Sequence, residues 1–258
     1  MRYYIRLLVL FSFVVSMTAC ATQPYNHIDR EARAHFESVE SYLVVPQDEI
    51  YADIQRSNIT GMMGGGLLWA LVDASVDNSR TKDAETAIAP IRNKLLNYDF
   101  AEILATNINT KLMGVDWLNS TQLVLERARP EDFVAKKYEA CNASAILFIN
   151  ADYKLSDDFG QVITSVNMEM FANVAELKKY REGTDDNQNP VDTKDNIYRN
   201  IITVSIPLGV EGKKKEIVEK LVSDECSAVK TALEESAKQI AEKIYNDIML
   251  DETADKKG

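Results

Sequence analysis

Two neighbouring stretches decide the fold: Ala143-Ser144-Ala145-Ile146-Leu147-Phe148-Ile149-Asn150-Ala151-Asp152-Tyr153, and Gln161-Val162-Ile163-Thr164-Ser165-Val166-Asn167-Met168-Glu169-Met170-Phe171. In the second, Val162, Thr164, Val166, Met168 and Met170 alternate with Ser165, Asn167 and Glu169, the period-two pattern of a strand with one buried face. The first is apolar through Ile146 and Phe148. Asp157-Asp158-Phe159-Gly160 between them has the chemistry of a hairpin turn. Gly183 to Asp195 reads as a polar hairpin loop. It leads to a third strand with Tyr198, Ile202, Val204 and Ile206 facing opposite Arg199, Thr203 and Ser205. The sequence thus predicts a three-strand meander.

Downstream, Lys213–Val222 predicts a helix, and Val229, Leu233, Ile240, Ile244 and Ile248 recur mostly four apart in a long closing helix. Upstream, Tyr42–Pro46 predicts a short strand with a continuation through Ile50–Ile54. Leu67–Val76 predicts a helix, and so does Thr81–Leu96, which Pro90 should kink or split in two. Asp99-Phe100-Ala101-Glu102 reads as an N-cap with a carboxylate three residues on, followed by an apolar face at Phe100, Ile103, Leu104, Ile108 and Leu112. Val115–Glu126 predicts a strand. Pro130 predicts the first residue of a helix reaching Cys141.

An amphipathic helix cannot bury its apolar face alone, so these helices must cover the sheet. The expected class is α+β: a mixed or antiparallel sheet with a C-terminal three-strand meander, covered by helices and ending in a long amphipathic helix. Residues 38–250 are read as one domain, preceded by a tether over 20–37 that becomes helical near Arg30–Ser38, and followed by a charged tail over 251–258. No internal repeat is evident.

At the start of the chain, Arg2 and Arg6 precede an apolar run from Leu7 to Met17, and Met17-Thr18-Ala19-Cys20 follows. A basic start, a short apolar core and small residues before the cut describe a secretory signal peptide over residues 1–19. The run is about half the roughly 20 residues that a spanning helix needs. Met-Thr-Ala-Cys resembles the lipobox of bacterial lipoproteins, in which the cysteine is acylated and becomes residue one. That resemblance makes Cys20 the lipidation site, with several acyl chains giving practically permanent attachment. Ala21, where an inner-membrane retention signal would place Asp, points by the same resemblance to the outer membrane, with the domain in the periplasm.

The chain carries 29 Lys+Arg against 40 Asp+Glu, a formal charge of −11. Nucleic acid is thereby excluded as an expected partner, because phosphate contacts need a clustered basic face. Cys141 and Cys226 would close a loop of about 85 residues if bonded, worth about 4–5 kcal/mol in the chain-entropy model. Equally, they can be two separate buried thiols. The only histidines, His27 and His35, fall near the tether. They lack the rigid setting that nucleophilic catalysis needs and any cysteine at zinc-ligand spacing. No metal or other cofactor is expected.

Gly61, Gly64, Gly65 and Gly66 lead into Leu67, Leu68 and Trp69. Gly61 and Gly65 stand at GxxxG spacing, so this segment is read either as a loop before a buried helix or as an interaction segment. Asp185–Asn189 mimics the start of a calcium loop, but Pro190 stands where Gly is needed and Asn196 where Glu is needed. Lys213–Lys215 is a solvated helix end. Asp152 and Glu169 could face one another across two strands as an acid–base pair.

The element order, with its closing helix over Lys230–Ile248, resembles the fold of penicillin-binding-protein activator lipoproteins, the TolB N-terminal domain and the curli-export lipoprotein CsgG. Gly64–Arg80 through Ile91-Arg92 resembles a family of uncharacterised proteobacterial lipoproteins. These likenesses lower the expectation of an enzyme, and the expected function is a non-catalytic binding or accessory module at the outer membrane, held by lipid on Cys20, with an envelope protein as partner. Two alternatives stand beside it: a homo-oligomeric envelope or export assembly using Gly61–Val72, and a carboxylate-dependent hydrolase.

Overall fold

The computed structural model describes residues 27–53, 78–180 and 196–250. Its strands are β1 (Val39–Val44), β2 (Tyr51–Ala52), β3 (Val124–Glu126), β4 (Ala145–Leu155), β5 (Gln161–Ala172) and β6 (Asn196–Pro207). They form one sheet in the order β3-β1-β4-β5-β6, with β2 pairing β4 beyond β1. β4, β5 and β6 are the antiparallel meander, while β1 lies parallel to both β3 and β4. The sheet is therefore mixed, and the fold is α+β.

The meander follows from its turn and its pattern. Asp158 accepts from the Gly160 amide (3.0 Å) and from the Ser156 hydroxyl (2.5 Å), and Phe159 takes φ +62°. This fixes the register that pairs Leu155 with Val162 and Ala145 with Ala172. A one-residue slip would turn every buried side chain to the opposite face.

The helices are α1 (Asn78–Leu95), α2 (Phe100–Leu112), α3 (Phe133–Ala140), α4 (Ala175–Lys178), α5 (Lys214–Ser223) and α6 (Ser227–Met249). They cover both faces of the sheet. On one face Leu147, Ile149 and Tyr153 of β4 join Leu104, Ile108, Leu233, Ile240 and Ile244 of α2 and α6 in the main core. On the other, Ile146 and Phe148 pack with Val44, Phe171 and Phe133 of α3 in a smaller cluster. Coverage of both faces explains why β4 reads as an unbroken apolar run rather than an alternation. Asp99 caps α2, accepting from the Glu102 amide at 3.1 Å, as its sequence predicts.

Two readings need correction, and two that offered alternatives are narrowed. α1 runs continuously through Pro90, so of a kinked helix or two shorter ones the second is excluded. Fully buried Ile88 and Ile91 hold the helix to the core on either side of the proline. Val115–Glu126 is not one strand: Asp116–Leu118 form a 3-10 turn and Asn119 adopts φ +47°, so the segment meets β1 in two places, through a single bridge of Ser120 to Val39 and through the strand Val124–Glu126. Asn119 stabilises that break by donating to the Phe36 carbonyl at 3.1 Å. α3 begins at Phe133, with Pro130 one turn earlier accepting from the Phe133 amide at 3.0 Å. Of the two alternatives for Cys141 and Cys226, a bridge or separate buried thiols, the structure has the second: both are free and buried. Cys141 belongs to the smaller cluster and Cys226 to the main core, so the sheet separates them.

Residues 28–36, read from sequence as tether, send Ile28, Ala32 and Phe36 into the main core. Their only helix is a 3-10 turn over Ala32–His35. Phe36 meets the Trp117 ring edge-on at 5.4 Å, and the Arg33 guanidinium donates to the Leu250 carbonyl just past α6. Both ends of the described chain thus meet.

Candidate functional site

Of the sequence-predicted site residues, Cys20, Gly61, Gly64, Gly65, Gly66, Leu67, Leu68 and Trp69 lie outside the described residues, as does the calcium-like run Asp185–Asn189. Asp152 and Glu169 are described, and the structure does not bring them together. Asp152 stands opposite Ser165, whereas Glu169 stands opposite Phe148, four residues away or about 13 Å along the strand. Each has another partner. The Tyr51 hydroxyl donates to Asp152 at 2.9 Å, and burial pushes both the Asp152 carboxyl and the Tyr51 phenol up. Glu169 accepts from Arg199 through Nη2 (2.6 Å) and Nε (3.2 Å), and both residues are 7% exposed.

That pair anchors a polar patch on the sheet face beyond α3. Arg129 reaches over it and donates to Asn150 Oδ1 at 2.6 Å. Burial holds the Arg129 guanidinium below its ordinary range, while the Glu169 charge works in the opposite direction. Asn150 sits directly across from Asn167. Asn150 Nδ2 and Asn167 Oδ1 are buried and find no hydrogen-bond partner among the described residues. Further along β6 the same face is open, with Ile201 57% exposed and the Ser165 and Thr203 hydroxyls bonded at 3.0 Å.

A second site is a cavity of about 160 Å³ between the β1–β2 connection, the end of α1, the start of α2, and α6. The local sequence builds it. Pro46 has no N–H to continue β1 along β4. The Gln47 side chain takes over there, donating to the Tyr153 carbonyl (2.8 Å) and accepting from the Tyr153 amide (2.9 Å). The chain then turns through Asp48 and Glu49 into β2. Aromatic walls come from Tyr98, Phe100 and Tyr153, with Phe100 and Tyr153 edge to face at 4.6 Å. Ile50, Leu95 and Leu233 add apolar lining.

The charged lining of the cavity is Asp48, Glu49 and Arg92. Arg92 donates to the Ile50 carbonyl at 2.7 Å, pairs with Glu85, and lies 3.5 Å from Glu49. Its charge is therefore met twice over. The Tyr98 hydroxyl bonds to the Lys230 carbonyl (3.1 Å) and to Glu234 (3.3 Å). Burial, followed by the neighbouring Glu234 charge, pushes the Tyr98 phenol up. The Tyr153 phenol is pushed up to about 12, chiefly by burial. Sequence reasoning missed this site because its walls come from positions 48–50, 92–100, 153 and 233. The only local signals were a proline ending a strand and acids just after it.

No protein-family model matches the chain. No curated protein matches it either. Among solved structures it is similar to a Xanthomonas campestris protein described under the family model DUF330, at 8% identity and TM-score 0.38, over 92% of this chain and 93% of that one. It is similar to a hypothetical protein from Chlamydia trachomatis at 9% identity and TM-score 0.31, over 81% and 98%. A third likeness is to the PelC dodecamer from Paraburkholderia phytofirmans, at 11% identity and TM-score 0.24, over 74% and 86%.

Proposed function

We propose that this is a lipid-anchored envelope protein: Cys20 carries the anchor, and the α+β domain serves in the periplasm, at the outer membrane, as a non-catalytic binding or accessory module. The observation that carries the reading is the basic start, apolar run and Met17-Thr18-Ala19-Cys20. Acyl chains on one residue contribute about 0.8 kcal/mol per buried methylene, enough in combination for stable attachment. A tether of this kind raises the effective concentration of the domain for partners in the same layer.

The geometry favours binding over turnover. A hydrolase of the two-carboxylate type needs its acids about 5–10 Å apart around one bond. Asp152 and Glu169 are farther apart than that, and Glu169 is neutralised by Arg199. The cavity at Tyr98 and Tyr153 and the patch at Arg129 are instead small, mixed surfaces suited to holding a ligand or partner.

Metabolic labelling with a palmitate analogue tests the anchor. The exported protein should be labelled and fractionate with outer membranes, while Cys20→Ser should be unlabelled and released. An unlabelled wild-type product, or one recovered with soluble contents, overturns the reading. Cross-linked recovery from envelopes should then yield one stoichiometric partner. Recovery of the chain only with itself would favour an oligomeric assembly, the reading suggested by Gly61 and Gly65 at GxxxG spacing.

A further inference from the structure

We propose that the cavity walled by Tyr98, Phe100 and Tyr153 binds a small organic cation, an ammonium group on a short aliphatic stem. The inference deepens the binding-module reading by giving its ligand a chemical class.

Size sets the first limit. About 160 Å³ is well below an ordinary drug-sized pocket, which favours a small ligand. Charge sets the second. Asp48 and Glu49 line the cavity, Glu85 sits on Arg92, and Glu234 sits on the Tyr98 hydroxyl. Glu85 and Glu49 both lie on the Arg92 guanidinium, which the Ile50 carbonyl also holds, while Asp48 lines the cavity and Glu234 reaches it through Tyr98. An anion would meet this negative surplus.

Wall chemistry supplies the third argument. Aromatic rings attract cations through their quadrupoles, and of the three rings that line the cavity Tyr98 keeps the most exposure, Phe100 and Tyr153 being buried against each other. Ile50, Leu95 and Leu233 offer the apolar surface that a hydrated metal ion would waste and an alkyl stem would cover. Exposed Leu96 stands at the same cavity, so a stem can continue outward along it.

The test is calorimetric titration of the full-length protein in detergent with n-butylammonium chloride, 1-butanol and sodium butyrate. Butylammonium should give saturable heat and bind about tenfold more tightly than butanol, with no saturable heat from butyrate. Asp48→Asn with Glu49→Gln changes two exposed side chains and should cut butylammonium affinity about tenfold without moving the thermal midpoint. Butanol binding as well as butylammonium, butyrate binding better, or no saturable heat at all would each overturn the proposal.

Repeating the titration in phosphatidylethanolamine and phosphatidylglycerol nanodiscs distinguishes the source of the ligand. Weaker apparent binding in ethanolamine discs identifies a lipid headgroup as occupant, and equal binding identifies a soluble amine. Both outcomes support the ammonium chemistry. A missing palmitate label would sink the anchor and leave these titrations unaffected, so the two ideas fail separately.

Discussion

Tyr198 on β6 donates its hydroxyl to the Asp247 carboxylate on α6, joining the last strand to the last helix inside the core. Tyr198 is fully buried and Asp247 is 9% exposed. Burial pushes the Asp247 carboxyl from its ordinary 3.8 to about 6. An acid whose pKa rises on folding holds its proton more firmly in the fold. Its contribution to stability is therefore most favourable below about pH 4 and is lost as pH climbs to about 6.

Asp247→Asn should consequently match wild type near pH 4 and exceed it by about 1–3 kcal/mol at pH 7. Denaturant unfolding of both proteins across that range measures the difference. A gap independent of pH would mean that Asp247 does not change charge there.

The Glu169–Arg199 pair makes a contrasting prediction. Removing one member strands a buried charge, so Glu169→Gln or Arg199→Met alone should cost about 3–5 kcal/mol. Glu169→Gln combined with Arg199→Met should recover much of that loss, because neither charge then stays in the interior. The cycle of single and double variants, followed by urea unfolding, gives the coupling directly.

The thiols make a third. Burial pushes both the Cys141 and the Cys226 thiol up, which leaves little thiolate to react. In the folded protein neither should be modified by a thiol reagent at neutral pH. After unfolding without reductant both should be, and a count lacking that pair would mean that they had been joined.

α1 offers a fourth. Pro90 lies inside a continuous helix, where proline costs about 3 kcal/mol relative to alanine. Pro90→Ala should raise stability by about 1–3 kcal/mol, read as a higher denaturant midpoint at unchanged slope. A loss of stability would show that the flanking Ile88 and Ile91 need the shape that proline imposes.

The meander, the cap at Asp99 and the stripe Val229–Ile248 were legible in the sequence because each is a local pattern: an alternation, a side-chain acceptor three residues from its amide, a helical repeat. The parallel placement of β1 between β3 and β4 was not, since parallel strands meet only through long connections that leave no short-range signature. The same limit hid the Arg199–Glu169 pair. A long connection containing α4 separates β5 from β6, so their register cannot be counted from a turn. Arg129 over Asn150 and the walls of the Tyr98 cavity are likewise meetings of residues far apart in the chain. At Pro90 local propensity left a split helix open as an alternative, which the core excludes through Ile88 and Ile91.

The bond between Arg33 and the Leu250 carbonyl places entry and exit of the polypeptide side by side. A reporter fused after Leu250 therefore starts beside Arg33. A circular permutant that joins the two described ends through a short linker and opens the chain between Asp157 and Gly160 would give up the Asp158 turn bonds that set the β4–β5 register while sparing the packing on either side.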